Sequence, residues 1–159
     1  MDQNYKHVGR CTCGEVDYAL SANPMFVHCC HCSWCQRETG SAFAINALIE
    51  ANEVQVLKGN PELIQVPSNS GLGQLISRCP TCLTALWSHY GAAKNKVCFV
   101  RVGTLNNPNA CPPDIHIFTS SKQHWLQLGS AVPVMDEYYQ RSKYWPAESI
   151  ARYKRAVQD

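Results

Sequence analysis

Seven consecutive residues, Cys29-Cys30-His31-Cys32-Ser33-Trp34-Cys35, hold four cysteines and a histidine. Thiolates and imidazoles bind zinc, and a thiolate is also a nucleophile. Within the stretch, Cys30, Cys32 and Cys35 form a C-x-C-x-x-C pattern, three thiolates without a partner pair downstream. Three protein ligands leave a fourth position open, where a water or substrate atom can be polarised. A thiol bound there would lose its proton near neutral pH and be held as a nucleophile. The chemistry therefore favours a thiol substrate.

Several residues compete to close that position: Cys29 and His31 in the stretch itself, or His28, His89, His116 or His124 from elsewhere. In an extended chain Cys29 and His31 alternate with Cys30 and Cys32 and should point to the other side. That favours a supporting or acid/base role for His31. Cys98, within a strand, and Cys111, before Pro112-Pro113, read as unligated thiols.

Two further pairs have different arithmetic. Cys11 and Cys13 form C-x-C before Gly14, on the same side of an extended chain, and Cys79 and Cys82 form C-x-x-C. Together they supply the four thiolates of a closed structural zinc site. One ion held there would tie the start of the chain to its middle and remove loop freedom from the unfolded state. Loss of a structural zinc costs on the order of 10 kcal/mol in small zinc peptides, enough to unfold a domain.

The frame for these clusters is one domain spanning 1–159, large enough to bury its own core. A hydrophobic share of 45% is that of a globular chain, and no apolar run approaches the roughly 20 residues that cross a bilayer. The start, Met1 to His7, is polar and lacks the apolar stretch of a secretory signal, so a soluble, cytoplasmic protein is expected. Ten cysteines in that setting indicate metal rather than disulfides. A net charge of +2 excludes a strong polyanion-binding field, so neither nucleic acid nor membrane is an expected partner. The basic run Arg152-Tyr153-Lys154-Arg155 reads as a solvated helix face.

Short alternating or apolar runs bounded by turn residues predict a mainly β domain. Strands are expected at Glu15–Leu20, Met25–His28, Ala42–Ile49, Val54–Gly59, Glu62–Val66, Gln74–Arg78, Thr84–Ser88, Lys96–Gly103, Ile115–Phe118 and Trp125–Leu128. The cluster then sits at a strand end, followed by a single helical turn from Gln36 stopped by Gly40. The strands on either side of Cys79-Pro80-Thr81-Cys82 form a knuckle hairpin. A helix is expected from about Ala147 to Val157, with Pro146 at its start.

Three motifs in order carry a resemblance: Gly9-Arg10-Cys11-Thr12-Cys13-Gly14-Glu15-Val16, Cys30-His31-Cys32-Ser33-Trp34-Cys35-Gln36-Arg37 with Thr39-Gly40-Ser41, and Cys79-Pro80-Thr81-Cys82. Val102-Gly103-Thr104-Leu105, His116-Ile117-Phe118 and His124-Trp125 add to it. From about Gly9 to Asp136, leaving a tail at 137–159, the chain resembles the glutathione-dependent formaldehyde-activating enzyme family, which includes centromere protein V. The resemblance implies a β-tent fold of antiparallel sheets and two zinc ions per chain. Cys11, Cys13, Cys79 and Cys82 match the structural ligands; Cys30, Cys32 and Cys35 match the catalytic ones, whose zinc is the more open to loss on purification. It implies a carbon–sulfur lyase that joins glutathione and formaldehyde reversibly to S-hydroxymethylglutathione. The other function open to such a chain is a non-enzymatic zinc module that binds a protein partner. The oligomeric state is not legible.

One position departs from the family pattern. Glycine usually follows the C-x-x-C pair, and here that residue is Leu83. A turn needing positive φ there would be strained, with the ligands kept. For the substrate's carboxylates, Arg37 is the nearest positive group in sequence, with Ser41, Lys122 and Trp125 as further candidates.

Overall fold

The structure, a computed structural model, describes residues 4–93 and 95–158. Residues 1–3 of the polar start therefore lie outside the described residues. Among the described residues ten strands run in chain order: β1 (His7–Arg10), β2 (Asp17–Leu20), β3 (Phe26–Cys30), β4 (Ala44–Glu50), β5 (Val54–Lys58), β6 (Glu62–Val66), β7 (Gln74–Arg78), β8 (Ala85–Tyr90), β9 (Val97–Arg101) and β10 (Ile115–Ile117). The helices are α1 (Ser33–Thr39), between β3 and β4, and α2 (Ala147–Gln158) near the end. The fold is mainly β, as the turn-punctuated sequence implied. Among the described residues no helix is long and apolar enough to cross a membrane.

The strands form two sheets. A three-stranded sheet has the order β1-β2-β5, and a seven-stranded one has the order β10-β3-β4-β9-β8-β7-β6. Neighbours are antiparallel except β10 and β3, which run parallel. β5 and β6, close in sequence on either side of Asn60-Pro61, end up in different sheets. β5 pairs with β2, and β6 with β7.

Alternation along β4 explains the layering. Ile45, Ala47 and Ile49 face a core shared with Val16, Tyr18 and Leu20 near and in the small sheet, where Tyr18 meets Trp87 edge-on at 5.3 Å. Ala44 and Leu48 face a second core closed by α2 and the aromatic residues before it, where Phe26 stacks on Trp145 at 5.3 Å. With both faces covered, β4 has no side turned to solvent, and its polar residues Asn46 and Glu50 are hydrogen-bonded to Arg101 and Arg152. A bidentate contact of 2.8 and 2.6 Å from Arg152 to Glu50 anchors α2 to the end of β4.

Two expectations are corrected. Trp125–Leu128 is not a strand but turn and irregular chain, and Trp125 stands 69% exposed with its indole N–H on Gln123. Its apolar alternation finds no neighbouring strand to pair with. Cys11 and Cys13 do not lie on an extended segment either. They sit in a turn closed by Gly14, at φ 77°, whose N–H donates to the Cys11 carbonyl.

Candidate metal centres and cavity

The first cluster joins that turn to the β7–β8 hairpin. Sγ of Cys11 lies 3.6 Å from Sγ of Cys13, which lies 3.7 Å from Sγ of Cys79. All four sulfurs, Cys82 included, are within 4.8 Å of one another. A tetrahedral zinc with bonds of about 2.3 Å places its sulfurs roughly 3.7 Å apart, so the donor set fits that ion. Backbone N–H groups of Val16 and Cys82 donate to Cys11 and Cys79 at 3.3 and 3.5 Å. The Thr84 hydroxyl, 3.1 Å away, and its backbone hold the Cys82 thiol down at about 5.

The hairpin turn closes as a knuckle, with the Leu83 N–H on the Cys79 carbonyl at 2.9 Å and the Cys79 N–H on the Thr84 carbonyl at 3.1 Å. Leu83 takes φ 61°, the left-handed conformation anticipated for this position, and its side chain is 63% exposed. The strain is local and the cysteines remain together.

The second cluster is built where β3 runs into α1. Cys30 is the last residue of β3, Cys32 caps α1 by accepting the Cys35 N–H at 3.3 Å, and Cys35 is on its first turn. Gly40, at φ 63°, ends the helix as its sequence suggested. The three sulfurs lie within 4.8 Å of one another, with Cys30 and Cys35 buried. Among the described residues no fourth histidine, cysteine or carboxylate joins the set. The Cys30 and Cys35 thiols, with the backbone N–H groups of Cys35 and Trp34, hold Cys32 far below the usual thiol range, while Cys30 is raised by hydrogen bonding to the other two and by burial. Three sulfurs that share protons this way suit a soft divalent cation that replaces them.

These three cysteines line a cavity of about 340 Å³, within the roughly 300–1,000 Å³ of small-molecule sites. Trp34, Phe99, Ile117, Phe118 and Tyr138 form much of its apolar wall. Arg101 is the one lysine or arginine among the lining residues, and it is 7% exposed. Its guanidinium donates to Asn46 and, at 2.8 Å, to Ser88, both neutral; Nε has no partner among the described residues. Gln74, 8% exposed in the same wall, has an unpartnered Oε1. Unpaired buried polar atoms cost about 1–3 kcal/mol each, and both of these belong to residues of one cavity wall. His28 also lines it, its Nε2 2.6 Å from the Tyr139 hydroxyl, and burial, then the Arg141 charge, push it down to about 3. It is a neutral wall at physiological pH.

The positive group in this cavity is not the one nearest the cluster in sequence. Arg37 is exposed and, with Ser41 and Trp125, borders a different, shallower cavity. Lys122 is turned onto the carbonyls of Gln123 and Leu126. Arg101 comes instead from β9, next to Asn46 of β4 in register. Its one sequence signal is a charge inside an otherwise apolar strand.

The histidines weighed as a fourth ligand are all placed. His89 lies 3.8 Å from the Cys98 thiol, and His124 is exposed in a turn. Cys111 is 3.9 Å from His7. His116 meets Cys29 and His31 on the far face of β3, as the alternation along an extended chain requires.

A family model described as glutathione-dependent formaldehyde-activating enzyme matches residues 6–121. No curated protein matches the chain. Among solved structures, one of a Rhodobacter sphaeroides protein is similar at 21% identity, covering 62% of this chain and 87% of that one, with a TM-score of 0.46.

Proposed function

Because the chain belongs to the glutathione-dependent formaldehyde-activating enzyme family, we propose that it is a zinc-dependent carbon–sulfur lyase acting on a small thiol adduct, with glutathione and formaldehyde as the reactants and S-hydroxymethylglutathione as the product. The observation that carries the reading is the set Cys30, Cys32 and Cys35, three sulfurs in the wall of a cavity that no fourth donor joins among the described residues. These three would hold the catalytic ion, and Cys11, Cys13, Cys79 and Cys82 the structural one. A zinc ion in the three-cysteine site would supply the positive charge that keeps a substrate thiol ionised near neutral pH.

The chain's own residues supply the rest. The apolar wall excludes water from a thiol and an aldehyde, which favours addition over hydration and strengthens every charge interaction inside. Arg101 places a positive charge in the cavity wall that would favour a negative oxygen, either a substrate carboxylate or the oxygen that gains charge when sulfur adds to the aldehyde carbon. A closed zinc module that only binds a partner would need a fourth protein donor at the three-cysteine set.

The test is the rate of S-hydroxymethylglutathione formation, or of its breakdown, above the spontaneous reaction of thiol with formaldehyde. Zinc-loaded wild type should accelerate it and Cys32→Ser should not. Equal rates for the two proteins would overturn the assignment.

A further inference from the structure

The two faces of β3 carry two different donor sets. His28, Cys30 and Cys32 alternate onto the side of the cavity. Cys29 and His31 alternate onto the other, where β10 brings a third donor, because the parallel register sets His116 directly beside Cys29. Sγ of Cys29 is 3.5 Å from Nε2 of His31, which is 2.9 Å from Nδ1 of His116. All three donor atoms lie within 4.8 Å of one another.

We infer that Cys29, His31 and His116 form a third metal site, distinct from the two cysteine-only clusters, that takes a borderline divalent transition ion, zinc in the first instance. The donor chemistry selects it: one thiolate and two imidazoles suit zinc, cobalt or copper and not the oxygen-seeking magnesium or calcium. The spacing agrees with it as well. Zinc bonds of about 2.0 Å to nitrogen and 2.3 Å to sulfur in a tetrahedron set those atoms roughly 3.3–3.6 Å apart. The 2.9 and 3.5 Å separations need only a small opening of the histidine pair. Binding replaces the Cys29 S–H proton, which leaves to solvent.

Burial and position give the site a role. His31 is fully buried and Cys29 is 1% exposed, while half-buried His116 reaches towards solvent. β10 is a three-residue strand at the sheet edge, held to β3 by a short parallel pairing. On its other side the strand is hydrogen-bonded to residues 133–137, so an ion shared between β3 and β10 would add one further tie to a strand already held. Ile117 and Phe118, in and just after β10, line the three-cysteine cavity, and the backbone bonds to residues 133–137 hold that wall with or without the ion.

Metal content and zinc K-edge absorption of the purified wild type, Cys29→Ala and His116→Gln decide the matter. The wild type is expected to bind one more zinc per chain than either variant, and its spectrum to show imidazole scattering, which cysteine-only sites cannot produce. Glutathione–formaldehyde turnover of the variants should stay within about threefold of wild type, which separates this site from the three-cysteine one. Equal zinc content in all three proteins would overturn the inference. Should both variants fail to fold, the wild-type spectrum alone decides: imidazole ligation supports the site and its absence removes it.

Discussion

The two cysteine clusters use the same donor atom in opposite ways. In the four-cysteine cluster the ligands come from two segments 66 residues apart and use up every tetrahedral position, so what an ion would do there is join a turn of the small sheet to a hairpin of the large one. In the three-cysteine cluster the ligands come from one β3–α1 corner already held by strand pairing and a helix cap. An ion there would add little to the fold and much to the chemistry. On the proposed reading, what would separate a structural from a catalytic ion is the sequence span of its ligands and the number left out, not their type.

The largest expected effect tests that contrast directly. Cys79→Ser should remove a ligand from the cross-link and cost several kcal/mol, up to the order of 10. Little folded protein should survive at 37 °C by circular dichroism. Cys32→Ser should keep the folded spectrum while lowering activity at least about 100-fold. A Cys32→Ser protein as unstable as Cys79→Ser would erase the distinction.

Arg101 sharpens the comparison from the catalytic side. Arg101→Met keeps most of the side-chain volume and removes a buried cation that no carboxylate neutralises among the described residues. Charged hydrogen bonds contribute about 1.5–3 kcal/mol, so kcat/KM should fall roughly 10- to 100-fold. Stability should change little, because replacing a buried charge by an apolar group is often neutral or favourable. An unaltered kcat/KM would remove Arg101 from the substrate site.

Both clusters were legible because cysteine spacing is a local signal, and the division of Cys29 and His31 from Cys30 and Cys32 followed from the two-residue period of a strand. The strands flanking the knuckle were equally local. Partners across the sheets were not. Nothing between Val54 and Val66 says that β5 turns to the small sheet and β6 to the far edge of the large one, since that depends on which strands arrive from elsewhere. Arg101 was missed for the same reason: it reaches the cavity through the β4–β9 register, while Arg37, a neighbour in sequence, sits on the outer side of α1.

A third, smaller effect concerns α2, which belongs to neither cluster. Burial raises the proton affinity of Glu50, but the two hydrogen bonds from Arg152 outweigh it and leave the carboxyl below its usual value of 4.5. Its folded pKa being the lower one, the pair's contribution is fully present above about pH 4.5 and is lost as pH falls through the folded value. It is worth about 1 kcal/mol. Glu50→Gln should lower the unfolding midpoint at pH 7 and flatten the loss of stability expected of wild type as pH falls below about 4.5. A variant with the wild-type acid profile would place that loss elsewhere.

The smallest effect returns to the knuckle. Arg78 links the two regions: it donates to the Leu83 carbonyl at 3.1 Å and pairs with Glu38 of α1, the helix that carries Cys35. Strain at Leu83 therefore sits on a path between them. A left-handed conformation costs a non-glycine residue about 1–2 kcal/mol, while glycine loses about 0.5–1 kcal/mol of extra backbone freedom on folding. Leu83→Gly should thus stabilise by roughly 0.5–1 kcal/mol, since the exposed leucine side chain gives up little packing. The expected rise in Tm is about 1–4 °C. If the clusters are as separate as their ligand spans imply, the variant will gain stability with kcat/KM unchanged. A shift in kcat/KM would mean that the Arg78–Glu38 link transmits the shape of the knuckle to the catalytic corner.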